Sequence, residues 1–178
     1  DSAGANPGPA SYRRGGPLAV TDCNVMLGKI QPDYFPKVFG PHADQPLDRD
    51  IVEQKFSNIG AELNKSAEEV AEGFLKIAVD SMASAVKKIS VQRGYDVSDY
   101  TLCCFGGAGG QHACLVADAL GMERVFIHPY AGVLSAYGMG LADVRSLREK
   151  SVEQHLDPES LQSLNSDITQ LESDILTD

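Results

Sequence analysis

The chain is short of positive charge and of paired cysteine. Against 25 Asp and Glu it carries 15 Lys and Arg, for a net charge of −10, and its only adjacent basic pairs are Arg13-Arg14 and Lys87-Lys88. The electrostatic footprint that holds nucleic acid or an anionic membrane is therefore missing. No apolar run approaches the roughly 20 residues that span a bilayer. The cysteines Cys23, Cys103, Cys104 and Cys114 form no C-x-x-C pair, which argues against a metal or dithiol site and for reduced core thiols in the cytosol. No G-x-S-x-G elbow occurs, so hydrolysis by an activated serine has no support.

What is present is a stretch with a nucleotide-loop grammar. From Tyr100 to Gly121 the sequence reads YTLCCFGGAGGQHACLVADALG. Tyr100 to Phe105 lacks polar alternation, as a strand covered on both faces of a parallel sheet would. Leu115, Val116, Ala119 and Leu120 supply a helical stripe, Gly121 stands at a left-handed C-cap, and RVFIH from Arg124 to His128 reads as the next strand. Such a strand, turn, helix, strand unit connects right-handed and parallel. The fold class expected is α/β, with a βαβ unit at 100–128 and long flanking helices.

The glycines of the turn, Gly106, Gly107, Gly109 and Gly110, let main chain lie flat against a ligand. Neither common phosphate loop fits, however. A dinucleotide fingerprint counted from Gly107 meets His112 at its sixth position, and a P-loop would need Lys before Ser or Thr where Gln111-His112 stands. On pattern alone, nucleotide contact and a tight structural turn both remain open. His112 is a candidate ligand contact and His128 a weaker one, at the strand edge where ligands collect in open α/β folds. His42 and His155 read as surface residues.

Elsewhere the periodicity is helical. Residues 1–17, rich in glycine and proline, form either a tail or an ordered loop. Val20 to Ile30 suggests a short helix capped by Thr21 or Asp22, with Gly28 as terminator. Asp22 and Asn24 could instead touch a substrate or metal. Residues 31–46 read as a packed irregular connection, and 49–64 as a helix. Ser66 with Glu69 makes a capping box that opens a long helix to Arg93, striped by Val70, Phe74, Ile77, Ala78, Met82, Ala85, Val86 and Ile89. Residues 132–142 are expected as a buried helix near the site, 149–156 as an edge strand and 158–176 as an amphipathic helix. Opening on Asp and stopping inside that last pattern, the chain reads as an excised piece.

Four motifs in order, SAGANPGPASYRRGG, VTDCNVMLGKI, FGGAGGQHA and HPYAGVLSAYGMGLADV, resemble the hydantoinase A/5-oxoprolinase family over roughly residues 1–150. Phe35-Pro36, Phe39-Gly40, Gln45 to Leu47 and CFGGAGGQHAC look most like the ATP-hydrolysing 5-oxoprolinases. The resemblance implies part of an actin-like, ribonuclease H-like ATPase fold. Residues 1–150 would be a second-lobe segment, and 151–178 the start of a truncated C-terminal segment. Gly106, Gly107, Ala108, Gly109, Gly110, Gln111 and His112 would form an adenosine-binding loop over 105–112. The family's Asp-x-Gly-Gly-Thr phosphate loops do not occur here, so the piece alone is expected to be inactive, with catalytic residues elsewhere.

In the full-length protein the implied reaction is ATP- and Mg²⁺-dependent opening of 5-oxo-L-proline to L-glutamate. Arg13, Arg14 and Asp22 would be substrate-side residues, a hydantoinase B-like domain or subunit a partner, and a homo-oligomer the assembly. The readings kept beside it are an ATP-binding subunit of a hydantoinase or acetone-carboxylase-like complex, a non-catalytic interaction module, and a nicotinamide oxidoreductase.

Overall fold

A computed structural model describes residues 2–155 and 157–176. Two units are distinguished, the first ending at Leu134 and the second beginning at Ser135.

The first unit is organised by its longest helix. α1 spans Val20–Met26, α2 Arg49–Leu63, α3 Ala67–Gln92 and α4 Ala113–Leu120, with strands β1 (Leu102–Cys104) and β2 (Val125–Ile127). The strands pair in parallel, Leu102 opposite Val125 and Cys104 opposite Ile127, so β1, the glycine turn, α4 and β2 form the expected βαβ unit. At 1.5 Å per residue, the 26 residues of α3 extend about 39 Å. Its first half closes one core with α1 and α2, built on Cys23, Val25, Val52, Phe56, Val70 and Leu75. Its second half closes another against α4, built on Val79, Ala83, Val116, Ala117 and Leu120.

Caps set the ends of these helices. Asp48 Oδ1 accepts the Ile51 N–H at the start of α2, and Asn64 ends it in the left-handed conformation. The Ser66–Glu69 capping box is reciprocal, with Ser66 Oγ accepting the Glu69 N–H (3.1 Å) and Glu69 accepting the Ser66 N–H (2.8 Å). Gly121 ends α4 at φ 70°. At α1 the N-cap is Ala19 rather than Thr21 or Asp22; Asp22 sits a turn inside and reaches back to accept the Ala19 N–H at 2.8 Å.

The expected stripe of α3 needs correction. Val70, Ala71, Leu75, Val79 and Ala83 are its buried positions, whereas Phe74, Ile77, Met82 and Ile89 are exposed, Ile77 by 64%. The helix is apolar on more than one side, so periodicity alone cannot choose the face that α1, α2 and α4 cover. The two-stranded sheet is likewise incompletely covered, with Cys103, Phe105, Phe126 and Ile127 exposed. Cys103 and Cys114 are thus surface thiols, and only Cys23 and Cys104 belong to the core.

The glycine- and proline-rich segment before α1 is an ordered loop. Its Ala10 and Ser11 N–H groups donate to the Asp22 carboxylate at 3.0 and 2.9 Å, and a side chain on Gly16 would strike the Gly8 carbonyl oxygen, 1.8 Å from its Cβ position. The irregular 31–46 connection packs through Phe39, whose ring lies 4.5 Å from that of Tyr12.

In the second unit, α5 continues to Leu141 from its start at Leu134, and α6 spans Pro158–Leu176. Asp157 Oδ1 accepts the Ser160 N–H at 2.7 Å, capping α6. α5 has no buried residue, against the expectation of a buried helix. Residues 149–155 form no strand, and Leu156, the last position of the expected edge strand, lies outside the described residues. No described helix is long and apolar enough to cross a membrane.

Two outcomes follow from this packing. Phe56, fully buried, should cost about 3–5 kcal/mol when changed to Ala, whereas Ile77→Ala in this chain should stay within about 0.5 kcal/mol; urea denaturation giving equal losses would contradict the assigned face. Asp22→Ala strands three backbone N–H groups, each worth about 1–3 kcal/mol when unsatisfied. A loss below about 1 kcal/mol in the same assay would mean the loop is held by something else.

Candidate functional site

The glycine turn leaves β1 with bare main chain facing outward. Gly106 takes φ 89°, a left-handed conformation that disfavours residues with a Cβ, and its N–H donates to the Ala131 carbonyl at 2.8 Å. A 3-10 turn follows at Gly109–Gln111, leading through His112 into α4. A Cβ built on Gly106, Gly107 or Gly110 would meet no atom within 4 Å, while one on Gly109 would lie 2.9 Å from Cys104 Sγ. Glycine at 109 thus serves packing, and at 107 and 110 it keeps the surface unobstructed. Among the described residues, no partner accepts the N–H groups of Gly107 and Ala108.

The far end of the turn is tied to α1. Asn24 Nδ2 donates to Gln111 Oε1 at 2.6 Å and lies 3.3 Å from His112 Nε2. Just beyond α1, Lys29 Nζ donates to the Gln111 carbonyl at 3.1 Å. Burial, and then the neighbouring Lys29 charge, push the His112 pKa down, which favours a neutral imidazole whose Nε2 can accept from Asn24. Sequence reasoning named Gln111 and His112 but missed Lys29 and the tie to Asn24. Those residues lie more than 80 positions from Gln111, and no local pattern signals their meeting.

The substrate-side candidates lie on the other flank of α1. Arg13 donates through Nε to the Pro46 carbonyl and through a terminal nitrogen to Asp48 Oδ2, both at 2.8 Å. Arg14, more exposed, donates to the Gly40 carbonyl at 3.2 Å. Asp22 is 0% exposed and has its oxygens engaged by Ala10, Ser11 and Ala19. Neither arginine bonds to the glycine turn in any contact observed. Burial and the adjacent Asp22 charge raise the Cys23 thiol pKa to about 11, which disfavours its thiolate. His42 and His155 are exposed, as expected. Among the described residues no group of three His, Cys, Asp or Glu is placed to hold a metal ion.

Beside the turn, a cleft of about 910 Å³ is lined by Leu27, Lys29, Leu75, Val79, Leu115 and Ala119, among others. It adjoins the turn through Lys29, whereas the glycines stand outside it.

Comparison with known proteins shows what the chain is similar to. Residues 1–148 match the family model described as hydantoinase/oxoprolinase. The 5-oxoprolinase of Saccharomyces cerevisiae is 51% identical over 150 residues, covering 81% of this chain and 12% of that protein. Among solved structures, the ATP-dependent caprolactamase from Pseudomonas jessenii superposes with a TM-score of 0.68 at 32% identity, over 99% of this chain and 26% of its own. Nucleotide-free acetone carboxylase, described as acting in ATP-dependent acetone carboxylation, gives a TM-score of 0.75 over 99% of this chain and 26% of its own; at 24% identity that likeness concerns the fold alone. The chain thus spans only a small part of the proteins it matches. With nearly its whole length before α6 under the family model, and a relative half identical across four-fifths of it, the chain belongs to the hydantoinase/oxoprolinase family.

Proposed function

We propose that this chain is the adenosine-holding segment of an ATP-dependent hydrolase of cyclic amides, of the 5-oxoprolinase type, converting 5-oxo-L-proline to L-glutamate. The observation that carries the reading is the open turn at 105–112, where glycines at 106, 107 and 110 face empty space at the C-terminal end of a parallel strand. Ligands of open α/β sheets collect at that end. Bare main chain lets a flat purine and its ribose lie against it, and the family's Asp-x-Gly-Gly-Thr phosphate loops are absent here.

Gly106, Gly107, Ala108, Gly109 and Gly110 would form the surface, and Gln111 and His112 the fixed end that orients it. When bound, ATP with Mg²⁺ would supply a phosphoryl group to the amide carbonyl oxygen, leaving ADP, so that water could attack the activated carbon with loss of phosphate and opening of the ring C–N bond. This chain contributes nucleotide position. Arg14, the more exposed of the loop arginines, is the better placed to meet an anionic substrate carboxylate, while Arg13 and Asp22 shape the loop that carries it. Residues 1–150 would be a second-lobe segment and 151–178 the opening of a C-terminal segment. A hydantoinase B-like domain or subunit, a homo-oligomeric assembly and a cytoplasmic setting complete the reading.

Gly107 allows a clean test, because its backbone is not left-handed and its Cβ position is unobstructed. In the full-length protein, Gly107→Val should weaken ATP binding at least tenfold, about 1.4 kcal/mol, with the melting temperature unchanged; calorimetric titration giving wild-type affinity would sink the nucleotide assignment. The substrate is tested by coupled assay. Phosphate release by the full-length protein should rise with added 5-oxo-L-proline and yield glutamate in step, and release indifferent to every cyclic amide supplied would overturn the amidase reading.

A further inference from the structure

α1 is only seven residues long, yet it buries two polar side chains with opposite assignments. Residues two apart on a helix point to different sides. Asp22 faces the loop before the helix and takes the N–H groups of Ala10 and Ser11. Asn24 faces the glycine turn and donates to Gln111 while meeting His112. Between and beside them, Cys23, Val25 and Met26 lock the helix into the core with α2 and α3.

Asn24 is costly where it stands. It is 1% exposed, and its Oδ1 has no hydrogen-bond partner, nor has His112 Nδ1. An unsatisfied buried polar atom costs about 1–3 kcal/mol, and an apolar side chain would carry no such atom. Stability therefore does not explain the amide. Its one short bond goes to the side chain of the residue that closes the glycine turn, and Lys29 grips the main chain of that same residue.

We propose that Asn24 is a positioning residue for the nucleotide-holding turn, and that α1 is a rigid strut linking the turn to the arginine-bearing loop at residues 2–17. The inference rests on the turn being the adenosine site. In it, Asn24 fixes Gln111 and His112 so that the main chain of Gly107 and Ala108 keeps one orientation. Any tightening of the turn by nucleotide is passed through the helix to the Asp22 carboxylate and so to Ala10 and Ser11, three and two residues ahead of Arg13. A strut with packed apolar faces transmits a shift because the core around it does not deform continuously.

The experiment uses the full-length protein carrying Asn24→Leu, which removes the amide and keeps the branching of the side chain while adding some bulk. The variant should stay folded and weaken ATP about tenfold. Hydrogen exchange at Ala10 and Ser11 should slow on ATP addition in the wild type and show no such response in the variant at saturating ATP. Asn24→Asp, isosteric but lacking the donor, should fail in the same way, so that loss tracks the N–H and not the shape. Wild-type affinity and an intact exchange response in Asn24→Leu would overturn the strut while leaving the nucleotide site standing. Absence of ATP binding in the wild type would remove both.

Discussion

A carboxylate buried away from water without a cation beside it must be surrounded by donors. Asp22 meets that demand with backbone alone, drawing in the N–H groups of Ala10, Ser11 and Ala19. Charge-assisted bonds of this kind are about twice as strong as neutral ones, and here they convert a glycine- and proline-rich stretch into a defined loop. Further contacts follow from that loop. Ser11 offers its carbonyl to the Asp48 N–H at 2.9 Å, Arg13 bonds the Asp48 carboxylate, and the other oxygen of that carboxylate caps α2. The Arg13–Asp48 pair is part-exposed and adds little energy by itself; its value lies in fixing the direction of the chain.

On this frame α3 acts as a spine shared by two cores. One holds α1 and α2, the other α4 beneath the two parallel strands. The glycine turn emerges from the second core and is tied back to the first by Asn24 and Lys29. The surface that a nucleotide would meet is therefore anchored at both ends, by Gly106 to Ala131 and by Gln111 to α1, with an unobstructed middle. Rigid ends and a bare centre are what a site needs in order to place a ligand without reorganising on binding.

Legibility in the sequence divides along the same lines. The spans of α2, α3, α4 and α6 could be read because caps and periodicity act within a few residues, as at Ser66 and Glu69 or at Gly121. The parallel pairing of β1 and β2 could be read because a short helical crossover permits little else. The buried face of α3 could not, since Phe74 and Leu75 are adjacent, equally apolar, and sorted only by what lies opposite. Nor could the exposure of Cys103 and Cys114 or the openness of α5, which depend on neighbours that one-dimensional pattern does not contain. Gln111 and His112 were recognisable as part of a motif; for their partner Asn24 the pattern offered only a possible substrate or metal contact.

By itself, then, the sequence determined the spans of α2, α3, α4 and α6, that two strands run parallel around a glycine turn, and that the turn is neither a P-loop nor a dinucleotide fingerprint, because those properties arise from backbone preferences and spacing over short distances. Tertiary structure alone decided which side of each element is covered and that Asp22 and Asn24 act in opposite directions from one small helix. It also decided that Gly109 is a packing residue while Gly107 faces open space. Those outcomes are set by contacts between residues tens of positions apart, where burial and hydrogen-bond geometry, and not local propensity, determine what each side chain does.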